Sequence, residues 1–126
     1  MGEQINKELL KELILKNKEG FTIDMNLNFV NKNKGFVVAL TDNSDKNLNL
    51  LIDKTLNDYK TLKSLSRYKL YFGGWFCDSE NKFYLDVSII IDDRDEQSLN
   101  TALNIGFIQN QKAIFNFKTM DCINLK

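Results

Sequence analysis

The chain of 126 residues contains no histidine, and this absence removes several kinds of chemistry. Histidine is the side chain whose charge changes near neutral pH, the usual general base and the commonest metal ligand. The serines therefore lack a partner for a Ser-His-Asp arrangement, and neither cysteine has a histidine to activate it. We predict a protein that is not an enzyme and that uses no cofactor or metal.

Cysteine is scarce as well. Cys77 and Cys122 lie far apart, and no C-x-x-C pair exists, so a metal site built from thiolates is not expected. The chain is long enough to bury a core without cross-links, and two cysteines in such a chain are typical of buried thiols in a reducing compartment. The sequence leaves a disulfide between them open.

The chain also lacks an excess of charge of either sign, and it lacks long apolar runs. The chain carries 17 basic and 17 acidic side chains. This balance disfavours a partner held mainly through its phosphates, and it equally disfavours an acidic mimic of DNA. No apolar run approaches the roughly 20 residues that cross a bilayer, and the N-terminal segment lacks the apolar core of a signal peptide. We predict a cytoplasmic protein with no membrane partner.

Hydrophobic periodicity predicts three helices, over 3–18, roughly 47–64 and about 95–109. Strands and hairpins are predicted between and after them. The whole chain, 1–126, is predicted to be a single compact α+β domain with the element order α-ββ-α-ββ-α-β. Its sheet is expected to be largely antiparallel, with the helices packed mainly on one face.

The predicted strands come from alternating apolar residues bounded by polar turns. They lie at 21–30 and 36–41, joined by a hairpin loop at 31–35; at 67–77 and 82–91, joined at 78–81; and at 113–117 and 120–125. Gly73 and Gly74 fall inside a strand, which indicates a bulge or a close approach of another backbone. Gly106 falls inside the third helix, where we expect it to let the helix lie close to the sheet.

One face of the second predicted hairpin departs from the core pattern, because alternate side chains of a strand point to opposite sides. The core face takes Tyr68, Leu70, Phe72, Gly74, Phe76, Phe83, Leu85, Val87, Ile89 and Ile91. The opposite face takes Arg67, Lys69, Tyr71, Gly73, Trp75, Tyr84, Asp86, Ser88 and Ile90.

This second set contains the residue types that most often dominate binding energy, Trp, Tyr and Arg. Trp75 is the only tryptophan of the chain. If the helices cover the core face alone, we expect a partner to dock on Tyr71, Trp75 and Tyr84, with Arg67 and Lys69 at the rim. The alternative is that a second layer, such as the N-terminal helix, lies over this face and makes Trp75 part of the core.

A second candidate contact surface is the acidic cluster that follows the second hairpin. It consists of Asp92, Asp93, Asp95 and Glu96, interrupted by Arg94. Carboxylates can bind Mg²⁺ or Ca²⁺, but the spacing of a calcium loop is missing. Acids at a helix start more often cap free N–H groups, and they can also face a basic partner.

Basic and aromatic residues interleave between the second helix and the second hairpin. Lys60, Lys63, Arg67 and Lys69 stand in a stretch without acids that leads to Tyr71 and Trp75. Positive charge combined with stacking rings is how single-stranded nucleic acid is held without base readout. The sequence therefore keeps nucleic-acid binding open.

Several segments together resemble small uncharacterised proteins of bacteriophages and mobile elements. They are YFGGW at 71–75, KFYLDVS at 82–88, the acidic pair 92–93, Ala102, NQKAIF at 110–115 and GFVVAL at 35–40. The resemblance implies a phage-type origin and a short accessory protein, such as an inhibitor of host defence of the anti-CRISPR or anti-restriction kind. It implies no functional residues.

We therefore expect a small non-enzymatic binding protein that acts by occluding a macromolecular partner, most simply a protein. The alternatives are a module that binds single-stranded nucleic acid, and a self-associating structural protein in which the same face pairs two copies as a homodimer.

Overall fold

A computed structural model of the chain describes residues 5–30, 34–109, 111 and 113–125. The described residues form three helices, α1 (Lys7–Lys16), α2 (Leu48–Lys63) and α3 (Glu96–Ile108). They also form seven strands, β1 (Phe21–Ile23), β2 (Phe36–Ala39), β3 (Asn43–Asp45), β4 (Tyr71–Cys77), β5 (Lys82–Ile91), β6 (Ala113–Asn116) and β7 (Asp121–Asn124). The α+β class and the order of the predicted elements are confirmed. β3 is an additional short strand between the predicted strand at 36–41 and the predicted second helix.

The strands form one antiparallel sheet in the order β1-β4-β5-β2-β6-β7, and β3 also pairs with β5. The predicted hairpin of β4 and β5 is present, with an unbroken register from Tyr71 opposite Ser88 to Cys77 opposite Lys82. Gly73 and Gly74 therefore do not form a bulge. β6 and β7 form a second hairpin at the other end of the sheet.

The hairpin predicted from 21–30 and 36–41 is wrong, because β1 pairs with β4 whereas β2 lies between β5 and β6. The strand stops at Ile23 because the next side chain closes a turn. Asp24 Oδ1 accepts hydrogen bonds from the backbone N–H groups of Asn26 and Asn28, at 2.9 and 3.0 Å. An Asp side chain that bonds its own downstream backbone competes with strand pairing. Residues 31–33 of the predicted loop lie outside the described residues.

The helices lie on one face of the sheet, as predicted. Leu10 and Ile14 of α1, Leu51 of α2 and Ala102 of α3 share one buried core with the inner side of β4 and β5. Most of the predicted core face is buried there: Leu70, Phe72, Gly74, Phe83, Leu85, Val87, Ile89 and Ile91. Phe76 is half-buried. Tyr68 is exposed, because β4 begins only at Tyr71.

Helix boundaries differ from the prediction at the N-termini. α1 begins after Asn6, whose side chain accepts hydrogen bonds from two backbone N–H groups of the first turn. Residues 3 and 4 of the predicted helix lie outside the described residues. α2 begins after Asn47, whose side chain caps it by accepting from the Leu50 N–H. In the described ranges no helix is both long and apolar enough to cross a bilayer.

The prediction for Gly106 is confirmed. A Cβ atom built at this position of α3 would lie 2.6 Å from Leu125 Cδ1 and 3.1 Å from Ile114 Cγ2. Both distances are shorter than ordinary carbon–carbon contacts. The glycine therefore lets α3 lie against β6 more closely than a larger residue would permit.

Candidate functional site

The sheet face opposite the helices, called the outer face below, collects the aromatic residues that the sequence singled out. In an antiparallel pair, residues directly opposite each other point to the same side. Tyr71 lies opposite Ser88, and Trp75 lies opposite Tyr84. The register therefore places Tyr71, Trp75 and Tyr84 on the same outer face and brings Trp75 directly beside Tyr84.

Trp75 and Tyr84 form a stacked pair at one end of this face. Their ring centroids are 4.8 Å apart, and the ring planes differ by 8°. The Lys82 ammonium lies 5.2 Å from the centre of the Tyr84 ring, and the Tyr84 hydroxyl donates a hydrogen bond to Glu80. This hydrogen bond raises the pKa of Tyr84 above its ordinary value.

The stack is fixed on the sheet but not covered. Trp75 remains 45 % exposed, whereas α1 packs into the core on the other side of the sheet. The alternative in which the N-terminal helix covers Trp75 is therefore wrong. A rigid, partly exposed indole loses little conformational entropy when it is buried by a partner.

Asp86 lies in the middle of the outer face, directly opposite Gly73. A Cβ atom at Gly73 would lie 3.0 Å from Asp86 Oδ1, so the glycine leaves the space that the carboxyl group occupies. The Ser88 hydroxyl donates a hydrogen bond to the same oxygen. Burial, opposed by this hydrogen bond and reinforced by the charge of Asp42, raises the pKa of Asp86 to about 7.

Four residues of the central hairpin, Gly73, Trp75, Asp86 and Ser88, line a concave cleft of about 830 Å³, called the outer cleft. Its far wall is more apolar and comes from the other half of the sheet, namely Val37, Phe115, Met120 and Cys122. Thr22 and Thr41 add hydroxyl groups. The volume falls in the range of ordinary ligand pockets, which combine apolar walls with a few polar groups.

The charge of the outer cleft has one sign. Three acidic side chains line it, Glu19, Asp42 and Asp86. Among the described residues that line it, none is a lysine or an arginine. The cleft therefore departs from the chain as a whole, in which basic and acidic residues are equal in number. Such a local field favours cations over anions.

The predicted basic rim lies outside the cleft. Arg67 and Lys69 are exposed and belong to the segment that connects α2 to β4, because β4 starts at Tyr71 rather than at residue 67. Neither lines the cleft. The Lys69 ammonium lies 5.4 Å from the centre of the ring of Tyr71, which is half-buried. The positive charge is therefore beside the docking face and not within it.

The acidic cluster forms a separate surface. Asp92 and Asp93 follow the far end of β5, about 25 Å along the strand from Tyr84 at the usual rise per residue. Asp95 caps α3, accepting a 2.9 Å hydrogen bond from the Gln97 N–H, and Ser98 completes a capping box. The capping interpretation is confirmed for Asp95. No group of three metal-ligating side chains lies together within the described residues.

Both cysteines are free thiols, so the disulfide that the sequence left open is not formed. Cys77 is half-buried and Cys122 is exposed, which makes the expectation of two buried thiols wrong. Cys122 lies opposite Phe115 in the terminal hairpin, with its side chain on the outer face. It is exposed because the helices among the described residues lie on the opposite face of the sheet.

Sequence reasoning placed Asp86 and Gly73 on the outer face but did not identify them as a site. The available signal was a lone acid in a strand of alternating apolar residues, near a glycine pair in the neighbouring strand. Seeing that Gly73 lies opposite Asp86 requires the register of the hairpin. No local sequence pattern indicates the walls that β1, β2, β6 and β7 contribute to the cleft. These strands come to line one cleft only through the strand order of the sheet.

Comparison of the chain with protein-family models, with curated proteins and with solved structures finds no match.

Proposed function

We propose that the protein is a non-enzymatic binding protein that occludes a partner protein docked on its outer face. The observation that carries the proposal is the Trp75–Tyr84 stack. It is ordered by ring contact at 4.8 Å, lies on the sheet face opposite the three helices of the described residues, and leaves the indole 45 % exposed. Exposed aromatic anchors beside a concave surface are typical of the centre of protein interfaces.

The surroundings of the stack favour a protein partner over nucleic acid. The cleft beside Trp75 is lined by acids, which repel phosphates. The basic residues Arg67 and Lys69 lie apart from it, at the side of Tyr71. A single strand that stacked on Trp75 and followed the cleft would pass over Asp86 and Asp42 without compensating cations among the described lining residues.

The resemblance to small phage proteins guides the choice of the first partner to test. An inhibitor of host defence has to cover a surface that its target needs, and a rigid sheet face can do this without any reaction. We therefore propose a component of a bacterial defence complex, of the CRISPR or restriction kind, as the first partner to test.

The test is capture of the partner with tagged protein from a bacterial lysate, followed by a binding measurement with the purified partner. Trp75→Ala removes the exposed indole, and Ile108→Ala is the matched control. Ile108 is 79 % exposed and lies at the end of α3, in the helix layer. Loss of an interface hot spot weakens binding by about 2 kcal/mol or more, roughly a thirtyfold rise in Kd.

We expect Trp75→Ala to lose the partner and Ile108→Ala to retain it, with both variants folded by circular dichroism. Equal binding by folded Trp75→Ala contradicts the proposal. Two other results also contradict it: a gel shift with single-stranded DNA that weakens with salt and depends on Trp75, or a mass in solution that doubles with concentration and is halved by Trp75→Ala.

A further inference from the structure

We propose that the outer cleft receives an arginine side chain of the partner, with its guanidinium paired to Asp86 and its apolar stem laid along the Trp75 ring. This inference rests on the proposed function, since it names the chemistry of the group that enters the docking face. Four features of the described residues support it: the sign of the charge, the open carboxylate, the adjacent indole and the distance between the last two.

The sign of the charge selects a cation. Glu19, Asp42 and Asp86 line the cleft, and the part of its lining that the structure describes offers no basic side chain to neutralise them. Interfaces arrange charges so that the two sides are complementary, and an unpaired buried carboxylate is costly. A partner that supplies a cation therefore removes the free-energy cost of holding Asp86 ionised without a counter-charge. An anionic or neutral group leaves that cost in place.

The carboxylate of Asp86 has room to accept a bidentate donor. From the described residues it accepts one side-chain hydrogen bond, which the Ser88 hydroxyl donates to Oδ1. Gly73 on the facing strand has no side chain to cover it. A guanidinium matches a carboxylate with two parallel N–H donors, which an ammonium cannot do.

The indole provides the second contact. Trp75 is two residues from Gly73 along β4, so its side chain lies about 7 Å along the strand from that of Asp86 on the same face. An arginine keeps its charge without deprotonation, and its apolar stem packs along an aromatic ring while the guanidinium reaches a polar partner. An arginine side chain spans this distance, with its apolar stem against the ring and its head at the carboxylate.

The proton balance of the contact is simple. Burial keeps part of the Asp86 population neutral near pH 7, and an approaching guanidinium favours the ionised form. The proton that Asp86 loses when the guanidinium binds is released to water. The other titratable side chains that line the cleft in the described residues are Glu19, Asp42 and Cys122. None of them supplies a positive charge that would compete with the guanidinium.

The test uses N-acetyl-arginine amide and its uncharged counterpart N-acetyl-citrulline amide, which has nearly the same shape. Because Trp75 is the only tryptophan, its indole N–H signal in NMR reports on the cleft directly. We expect the arginine amide to shift this signal saturably and to bind about tenfold more tightly than the citrulline amide, the difference that one charge-assisted hydrogen bond makes.

Two protein variants make the test specific. Asp86→Asn removes the charge at the floor of the cleft, and we expect it to abolish the preference for arginine. Asp53→Asn makes the same charge change at an exposed position of α2, and we expect it to retain the preference. Equal binding of the two amides to the wild type overturns the inference. So does an unchanged preference in Asp86→Asn.

The outcomes separate this inference from the proposed function. If the purified partner binds in a Trp75-dependent manner but neither amide binds, the arginine site is wrong and the docking face stands. If the amides discriminate as expected but Trp75→Ala keeps the partner, the docking face is wrong and the cleft is a site for a cationic ligand. A single-stranded oligonucleotide that moves the indole signal more than the arginine amide does also overturns the inference.

Discussion

Gly73 lies directly opposite Asp86 in the central hairpin, and a Cβ atom on Gly73 would come within 3.0 Å of Asp86 Oδ1. The glycine and the carboxyl group thus depend on each other. A larger residue on β4 would fill the space that Asp86 occupies, and without Asp86 the glycine would leave a gap in the outer face.

The raised pKa of Asp86 predicts that its carboxyl group destabilises the fold at high pH. The pKa is about 7 in the folded protein against an ordinary value of 3.8, so between these values the folded state holds a proton that the unfolded state has released. The contribution of Asp86 to the free energy of unfolding is therefore complete below the lower pKa, and it is lost as the pH rises to about 7.

We expect Asp86→Asn to stabilise the protein by on the order of 2 kcal/mol at about pH 8, and to leave it nearly unchanged at about pH 4. The whole shift corresponds to about 4 kcal/mol, and we expect less because the side chain borders the open cleft. Urea unfolding at both pH values measures the difference. A variant that is less stable than the wild type at the higher pH would contradict the assignment.

The two adjacent glycines of β4 should respond differently to alanine. A Cβ atom on Gly74 would lie 2.6 Å from the backbone oxygen of Tyr84, which cannot move without disturbing the sheet. We expect Gly74→Ala to destabilise the fold by about 3 kcal/mol.

Gly73→Ala meets a side chain instead, so we expect a loss of about 1 kcal/mol together with displacement of the Asp86 carboxyl group. Denaturant unfolding compares the two variants, and the chemical shift of the Asp86 carboxyl carbon follows the displacement. Equal destabilisation by both substitutions would contradict the distinction between a backbone neighbour and a side-chain neighbour.

Most of the fold could be predicted for those elements whose structure is determined by the local sequence pattern. The alternation along β5 and the polar turn at 78–81 predict the central hairpin and most of its core face. The failure at 21–30 has an equally local cause, since the Asp24 side chain closes a turn inside a segment whose alternation is typical of a strand.

The candidate site could be predicted only in part. The pattern placed Trp75 and Tyr84 on one face, but their exposure depends on which side of the sheet α1 packs, and no residue of α1 specifies that side. The far wall of the cleft is contributed by β2, β6 and β7, which join the sheet through long-range pairings. Arg67 and Lys69 precede the strand instead of lying on it, because β4 starts four residues later than the alternation suggested.

Tyr84 is predicted to support Trp75 through its ring and not through its hydroxyl. Tyr84→Phe removes the hydrogen bond to exposed Glu80 but keeps the stack, so partner binding should change by less than about twofold. Tyr84→Ala removes the stack and should weaken binding about tenfold, because the indole is no longer held in place. Calorimetry with the purified partner distinguishes them, and a large effect of Tyr84→Phe would contradict this account.

The affinity of the cleft for an arginine side chain should rise with pH. The carboxylate of Asp86 is the form that binds, and its pKa of about 7 makes it mostly neutral one unit below this value and mostly ionised one unit above. We expect about a tenfold gain in affinity for N-acetyl-arginine amide between about pH 6 and about pH 8. The same titration on Asp86→Asn should be flat; a matching rise there would assign the effect to another group.

Asp95 is predicted to stabilise α3 and to take no part in binding. Its side chain accepts a hydrogen bond from the Gln97 N–H, so Asp95→Ala should cost about 1 kcal/mol of stability. Added Mg²⁺ or Ca²⁺ should not raise the melting temperature of the wild type. Thermal unfolding with and without each cation checks both statements, and stabilisation that disappears in Asp95→Ala would revive a metal site.

The central claim is that the outer face docks the partner, and the accessibility of Trp75 tests it most directly. As the only tryptophan, Trp75 supplies all of the indole fluorescence, and it is 45 % exposed in the free protein. We predict that the neutral quencher acrylamide quenches this fluorescence in the free protein and that a saturating amount of purified partner protects it. Quenching that is unchanged in the saturated complex, measured with a partner that lacks tryptophan or has it replaced, would contradict the claim.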